Sequence, residues 1–163
     1  MDVTQKQKWI KNAFHCYYKN KQRLPQLKAD YERIAIPMSG GQDPNKPYVK
    51  SSVGNGVEKS VLEYLFSRER YENMIKDCED KIAVVEKTMQ HFSVEETAKG
   101  KKHRKYIECR FVKGMSYTAS AIECDLRERT SDFVIEEIMT VAYAIAEIEG
   151  FFNKKLFTAK ILR

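Results

Sequence analysis

The chain has 163 residues, 42% of them hydrophobic and 32% charged, with a net charge of +6. It can bury a core for one domain or two small ones, and it lacks any apolar run near the roughly 18 residues that a membrane span requires. The charge is uneven: residues 1–50 carry +6, residues 51–98 carry −4 and residues 99–163 carry +4. Basic ends around an acidic middle suit a protein that meets a polyanion, although a plain basic surface has the same signature. Cys16, Cys78, Cys109 and Cys124 form no CxxC pair, so a zinc site is not expected and all four read as reduced thiols of a cytoplasmic protein. The N-terminus has no apolar core of the secretory type.

Residues 1–35 read as N-terminal helices. Ile10, Phe14, Tyr17, Leu24, Leu27, Tyr31 and Ile34 fall mostly three or four apart. Pro25 predicts a kink or break near Leu24, because the residue before a proline avoids the α region. Trp9, Phe14, Tyr17, Tyr18 and Tyr31 make the segment aromatic, either for core packing or for stacking on a partner. Residues 36–56 hold three of the four prolines, with Gly40, Gly41, Gly54 and Gly56, and read as a Pro/Gly/Ser-rich loop between helical segments.

Residues 57–98 read as one long helix and its exit. Val57, Val61, Tyr64, Arg68, Tyr71, Ile75, Cys78, Ile82, Val85, Met89 and Phe92 make a heptad seam with one charged member. Such a seam packs on another helix, from the same chain or from a second copy. Ser93 is the expected cap of the next turn, and Gly100 is expected to break the pattern.

Residues 99–163 hold the most informative pattern. A basic cluster, Lys99, Lys101, Lys102, Arg104 and Lys105, precedes a helix ending at Val112. Gly114 supplies a positive φ to end it, and Ser116 caps a short second helix over Tyr117–Glu123. Asp125 sits in the following turn, where Asp tolerates the left-handed conformation, and Leu126 faces the core. A third helix starts near Arg127, with Val134, Ile138, Val141, Ile145, Ile148 and Phe152 as its seam. Two helices about a tight turn, flanked by Lys and Arg, are how a helix-turn-helix reads in sequence. Lys101, Lys102, Arg104, Lys105 and Lys113 are the expected phosphate contacts. Ser116, Tyr117 and Thr118 would touch the DNA backbone, and Arg127, Arg129, Thr130 and Ser131 would read bases.

Phe111-Val112-Lys113-Gly114-Met115-Ser116-Tyr117, then Ala121, Leu126 and Thr130, resembles the C-terminal helix-turn-helix of sigma factors, region 4. The whole layout resembles the phage late transcriptional regulators of the ArpU/RinA/LtrC type. The resemblance implies an all-α protein that binds double-stranded promoter DNA and activates late genes without a cofactor. Its implied partners are host RNA polymerase, a second copy in a homodimer and a phage- or island-encoded modulator. Departures are Asp125 where glycine is usual, Ser131 where a buried aliphatic is usual, and the acids Asp132, Glu136 and Glu137 on the recognition helix. Those acids face away from DNA or meet a protein. A small terminase subunit and a helical adaptor are the alternatives. No nucleotide-binding, hydrolase or metalloprotease motif is present, and no enzyme activity is expected.

Overall fold

The computed structural model of the protein describes residues 1–34, 53–95 and 97–153, the side chains of 53–57 and 128 excepted. Its described residues form six α-helices and one π-helical turn, with no strand among them. The helices are α1 (Val3–His15), α2 (Tyr17–Glu32), α3 (Val53–Val94), α4 (Ala98–Ile107), α5 (Tyr117–Glu123) and α6 (Glu128–Glu149); the π turn spans Glu108–Val112. No described helix is long and apolar enough to cross a membrane. Most of the expected loop over 36–56 lies outside the described residues, but Val53 to Gly56 already belong to α3. One compact unit is built from Met1–Lys21 and the chain from Glu79 onward; Gln22–Cys78 make a second.

In the first unit α1 packs on α6. Helix α1 starts with a reciprocal cap, in which Asp2 Oδ1 accepts from the Gln5 amide at 2.7 Å and Gln5 Oε1 accepts from the Asp2 amide at 3.1 Å. Its buried face is Trp9, Ile10, Ala13 and Phe14. Trp9 lies edge-on to Phe152 at 5.5 Å, and Phe14 lies edge-on to Phe111 at 5.1 Å. Lys6 closes the contact with an ion pair to Glu147 at 2.7 Å. The break between α1 and α2 falls at Cys16, not near Leu24. The Cys16 amide is shared between the Asn12 and Phe14 carbonyls, and α2 runs through Pro25. Pro25 and Lys21, whose carbonyl the proline leaves without an amide, both lie on the exposed surface of the helix.

Helix α6 buries Ser131, Val134, Ile138, Ala142 and Ala146. This replaces the expected seam in its second half: Ile148 is 83% exposed and Val141 and Ile145 are half-buried. From Val134 the buried residues step by four, so the buried stripe winds around the helix instead of holding to the seam. Ala142 and Ala146 are the small members of this buried stripe. Gly150, at φ 72°, ends the helix in the left-handed conformation, and the Phe151 amide bonds back to the Ala146 carbonyl at 3.0 Å.

The α3 segment of this unit buries Ile82, Val84, Val85, Thr88 and Phe92, a wider arc than the heptad seam. In the second unit the seam is only partly covered: Cys78 is buried, Tyr64, Tyr71 and Ile75 are half-buried, and Val61 is exposed, as are Leu62 and Leu65 beside the seam. Its charged member is accounted for, because Arg68 donates to the Tyr31 hydroxyl at 2.7 Å and to the Tyr64 hydroxyl at 2.9 Å.

Two boundary expectations are corrected. Ser93 lies inside α3 and donates to the Met89 carbonyl; Thr97 is the cap of α4, accepting from the Gly100 amide at 3.1 Å. Gly100 therefore sits in the first turn of α4 rather than breaking it. A Cβ at this position would lie 2.7 Å from the Glu95 carbonyl oxygen and 3.0 Å from that of Phe92. Alanine in place of glycine ordinarily stabilises a helix by about 1 kcal/mol. Here Gly100→Ala is expected to destabilise by about 1–3 kcal/mol, as overpacking does. Thermal unfolding reads the sign directly, and a raised Tm would refute the close approach.

Candidate nucleic-acid interface

The residues predicted to contact DNA lie on α4, on the turns around α5 and on the start of α6, all in the first unit. The local chemistry explains the two turns. The π turn closes with the Lys113 amide on the Glu108 carbonyl at 2.8 Å and the Met115 amide on the Cys109 carbonyl at 3.0 Å. Arg110 braces the same corner from within, donating to the Met115 carbonyl at 2.9 Å. Gly114 takes φ 70°, and Ser116 then caps α5 by accepting from the Ala119 amide at 3.1 Å. The turn from α5 to α6 bends at Asp125, at φ 53°, and the Leu126 amide bonds to the Ala121 carbonyl at 2.8 Å. Leu126 is half-buried and Ala121 is buried.

Lys101, Lys102 and Lys105 are exposed on α4. Arg104 is exposed too but pairs with Glu108, one turn on, at 3.1 Å. Lys113 is exposed at the end of the π turn, and Thr118 on α5. The Ser116 hydroxyl already serves the α5 cap. Tyr117 is half-buried, and its hydroxyl donates to Asp132 at 2.9 Å. Arg127, Arg129 and Thr130 are exposed at the start of α6. Ser131 is the correction in this set: it is fully buried, with its hydroxyl oxygen unpaired, and it packs inward at the position where an aliphatic residue was expected. A side chain buried there cannot reach a base edge.

Of Asp132, Glu136 and Glu137, two are engaged. Asp132 accepts from Tyr117. Glu137 accepts from His103 Nε2 at 2.8 Å and from Lys99 Nζ at 3.0 Å. The Lys99 ammonium first, and His103 second, hold the Glu137 carboxyl below the usual carboxylate range. His103 is buried, stacked on Phe92 at 4.9 Å, and its Nδ1 bonds to the Lys99 carbonyl at 2.6 Å. Each ring nitrogen thus faces an acceptor, a backbone carbonyl on one side and a carboxylate on the other. Glu136 stays exposed. This His103–Glu137–Lys99 cluster escapes a reading of the sequence, since 34 residues separate His103 from its acid. Only the i, i+4 placement of Lys99 and His103 hinted that they share a face.

The cysteines form no disulfide, and Cys109 of the π turn and Cys124 at the end of α5 are buried. Burial pushes the Cys124 thiol up to about 11 and the Tyr106 hydroxyl to about 12, so neither ionises near neutrality. No family model matches the chain, and neither a curated protein nor a solved structure matches it.

Proposed function

We propose that the protein is a DNA-binding transcriptional regulator, an activator of phage or prophage late genes, with α5 and α6 as a helix-turn-helix and α4 as a phosphate-holding flank. The observation that carries this reading is the exposed group Lys101, Lys102 and Lys105 on α4, in the same unit as a short capped helix and a four-residue bend. Of the acids that argue against DNA contact, Glu137 is ion-paired within the chain and Asp132 is hydrogen-bonded to the Tyr117 hydroxyl, whereas Glu136 is exposed. The late-gene role, host RNA polymerase and a phage- or island-encoded modulator rest on the sequence resemblance to the ArpU/RinA/LtrC type. Exposed Val61, Leu62 and Leu65 on α3 support self-association as a homodimer.

The test uses the full-length protein and duplexes enriched by it from a random pool. Each phosphate contact adds about 0.9 to the slope of log affinity against log salt. Reversal of Lys101, Lys102 and Lys105 to Glu is expected to reduce that slope by about three while leaving helix content unchanged. Adding Arg104→Glu changes it less, since Arg104 is paired with Glu108. DNA binding that ignores these reversals would remove the α4 flank from the reading. Light scattering of the same samples separates a dimer from the many-copy ring of a small terminase subunit.

A further inference from the structure

Phe133 is 66% exposed, a large aromatic side chain left outside the core that Val134 and Ile138 enter from the same helix. It stands four residues after Arg129 and three after Thr130, so the three share one exposed face of the first turns of α6. It also lines a depression of about 340 Å³ with Thr130, Leu126 and Lys102, which brings an apolar ring beside a cation of α4. Resting on the DNA-binding reading above, we infer that Phe133 is a specificity-determining residue that packs on the C5-methyl group of a thymine in the major groove. The first residues of a recognition helix meet base edges, and an apolar side chain there selects the thymine methyl among the groups the groove displays. Arg129, one turn earlier, would then lie over the neighbouring base pairs, where guanidinium selects guanine. Asp132, between them in sequence, is turned to Tyr117. Glu137, which lines the same depression, is paired with Lys99 and His103, and exposed Glu136 stands a turn further from the helix start, where a carboxylate can accept from a cytosine amino group.

The experiment replaces thymine by uracil, one position at a time, in the duplex the full-length protein binds best. Only the methyl group is lost. Burying one such group is worth about fourfold in affinity, so uracil at one position is expected to weaken wild-type binding by about that factor. Phe133→Ala should bind thymine and uracil at that position equally, with the salt slope unchanged because no phosphate contact is lost. Phe133→Leu should restore part of the discrimination. Because the side chain is exposed, Phe133→Ala is expected to melt with the wild type, which separates readout from folding.

Wild-type binding indifferent to uracil at every position overturns the inference and leaves the DNA-binding reading standing. So does discrimination that survives Phe133→Ala. Loss of self-association in Phe133→Ala, without uracil discrimination in the wild type, overturns it in favour of a protein contact. Absence of any salt-dependent DNA binding removes both the reading and the inference.

Discussion

Phe14→Ala is expected to lower the stability of the first unit by about 3–5 kcal/mol, the range for truncating a buried phenylalanine. Phe14 is fully buried and lies edge-on to Phe111, so truncation loses both its burial and an aromatic contact. The loss reaches the candidate interface, because Phe111 belongs to the π turn that leads into Gly114 and Ser116. Helix α1 contributes three further buried side chains, Trp9, Ile10 and Ala13. Burial of a large apolar side chain is worth about 1.5–3 kcal/mol, whereas a whole domain is stable by about 5–15 kcal/mol. Removal of α1 is thus expected to unfold the C-terminal helices rather than merely loosen them. Trp9, the single tryptophan, packs on Phe151 and Phe152 and reports this unit by its fluorescence. Urea unfolding followed at Trp9 measures the effect; a change below about 1 kcal/mol would contradict the burial of Phe14.

The contrast between what the sequence predicts well and badly has a physical cause. Gly114, Ser116 and Asp125 were legible because each residue carries its own reason: a positive φ without a side-chain clash, a hydroxyl that reaches an orphan amide, a short acid tolerant of the left-handed region. The α5 boundaries followed from them. Pro25, Ser93 and Gly100 misled because their signals are real but conditional. Proline removes one amide and crowds the carbonyl four residues back, a local cost that the rest of α2 absorbs. Serine caps only where the helix starts, and Thr97 held that place. Glycine in α4 is there for Glu95 and Phe92, not for a bend. The heptad reading of α6 named Val134 and Ile138 correctly and then drifted off the buried face at Ile148. In the candidate interface, the exposed cations of α4 were legible from composition. Tyr117–Asp132 and His103–Glu137 were not, because long-range pairs leave no local mark.

His103→Ala is expected to lower stability by about 3 kcal/mol, combining an aromatic stack with two hydrogen bonds, one of them to a charged group. His103 ties three helices together: Phe92 of α3 lies under the ring, Lys99 of its own helix holds Nδ1, and Glu137 of α6 holds Nε2. Glu137 adds a pH dependence whose sign is fixed. Its carboxyl is held below the unfolded value, so the folded state favours the ionised form. That contribution is complete above the unfolded carboxylate pKa of about 4.3 and is lost as pH falls through the lower folded value. Glu137→Gln should therefore lose stability at neutral pH and show a flatter decline in acid than the wild type. Chemical unfolding at pH 7 and at about pH 3 checks both. An unchanged acid decline would mean that Glu137 is not paired. The consequence for function follows from the same geometry. His103 is buried and cannot touch DNA, so at a temperature where the variant is folded, any loss of binding in His103→Ala comes through the placement of α4 on α6. Such a loss should carry a reduced salt slope, because the displaced cations are those of α4, whereas Phe133→Ala leaves that slope intact.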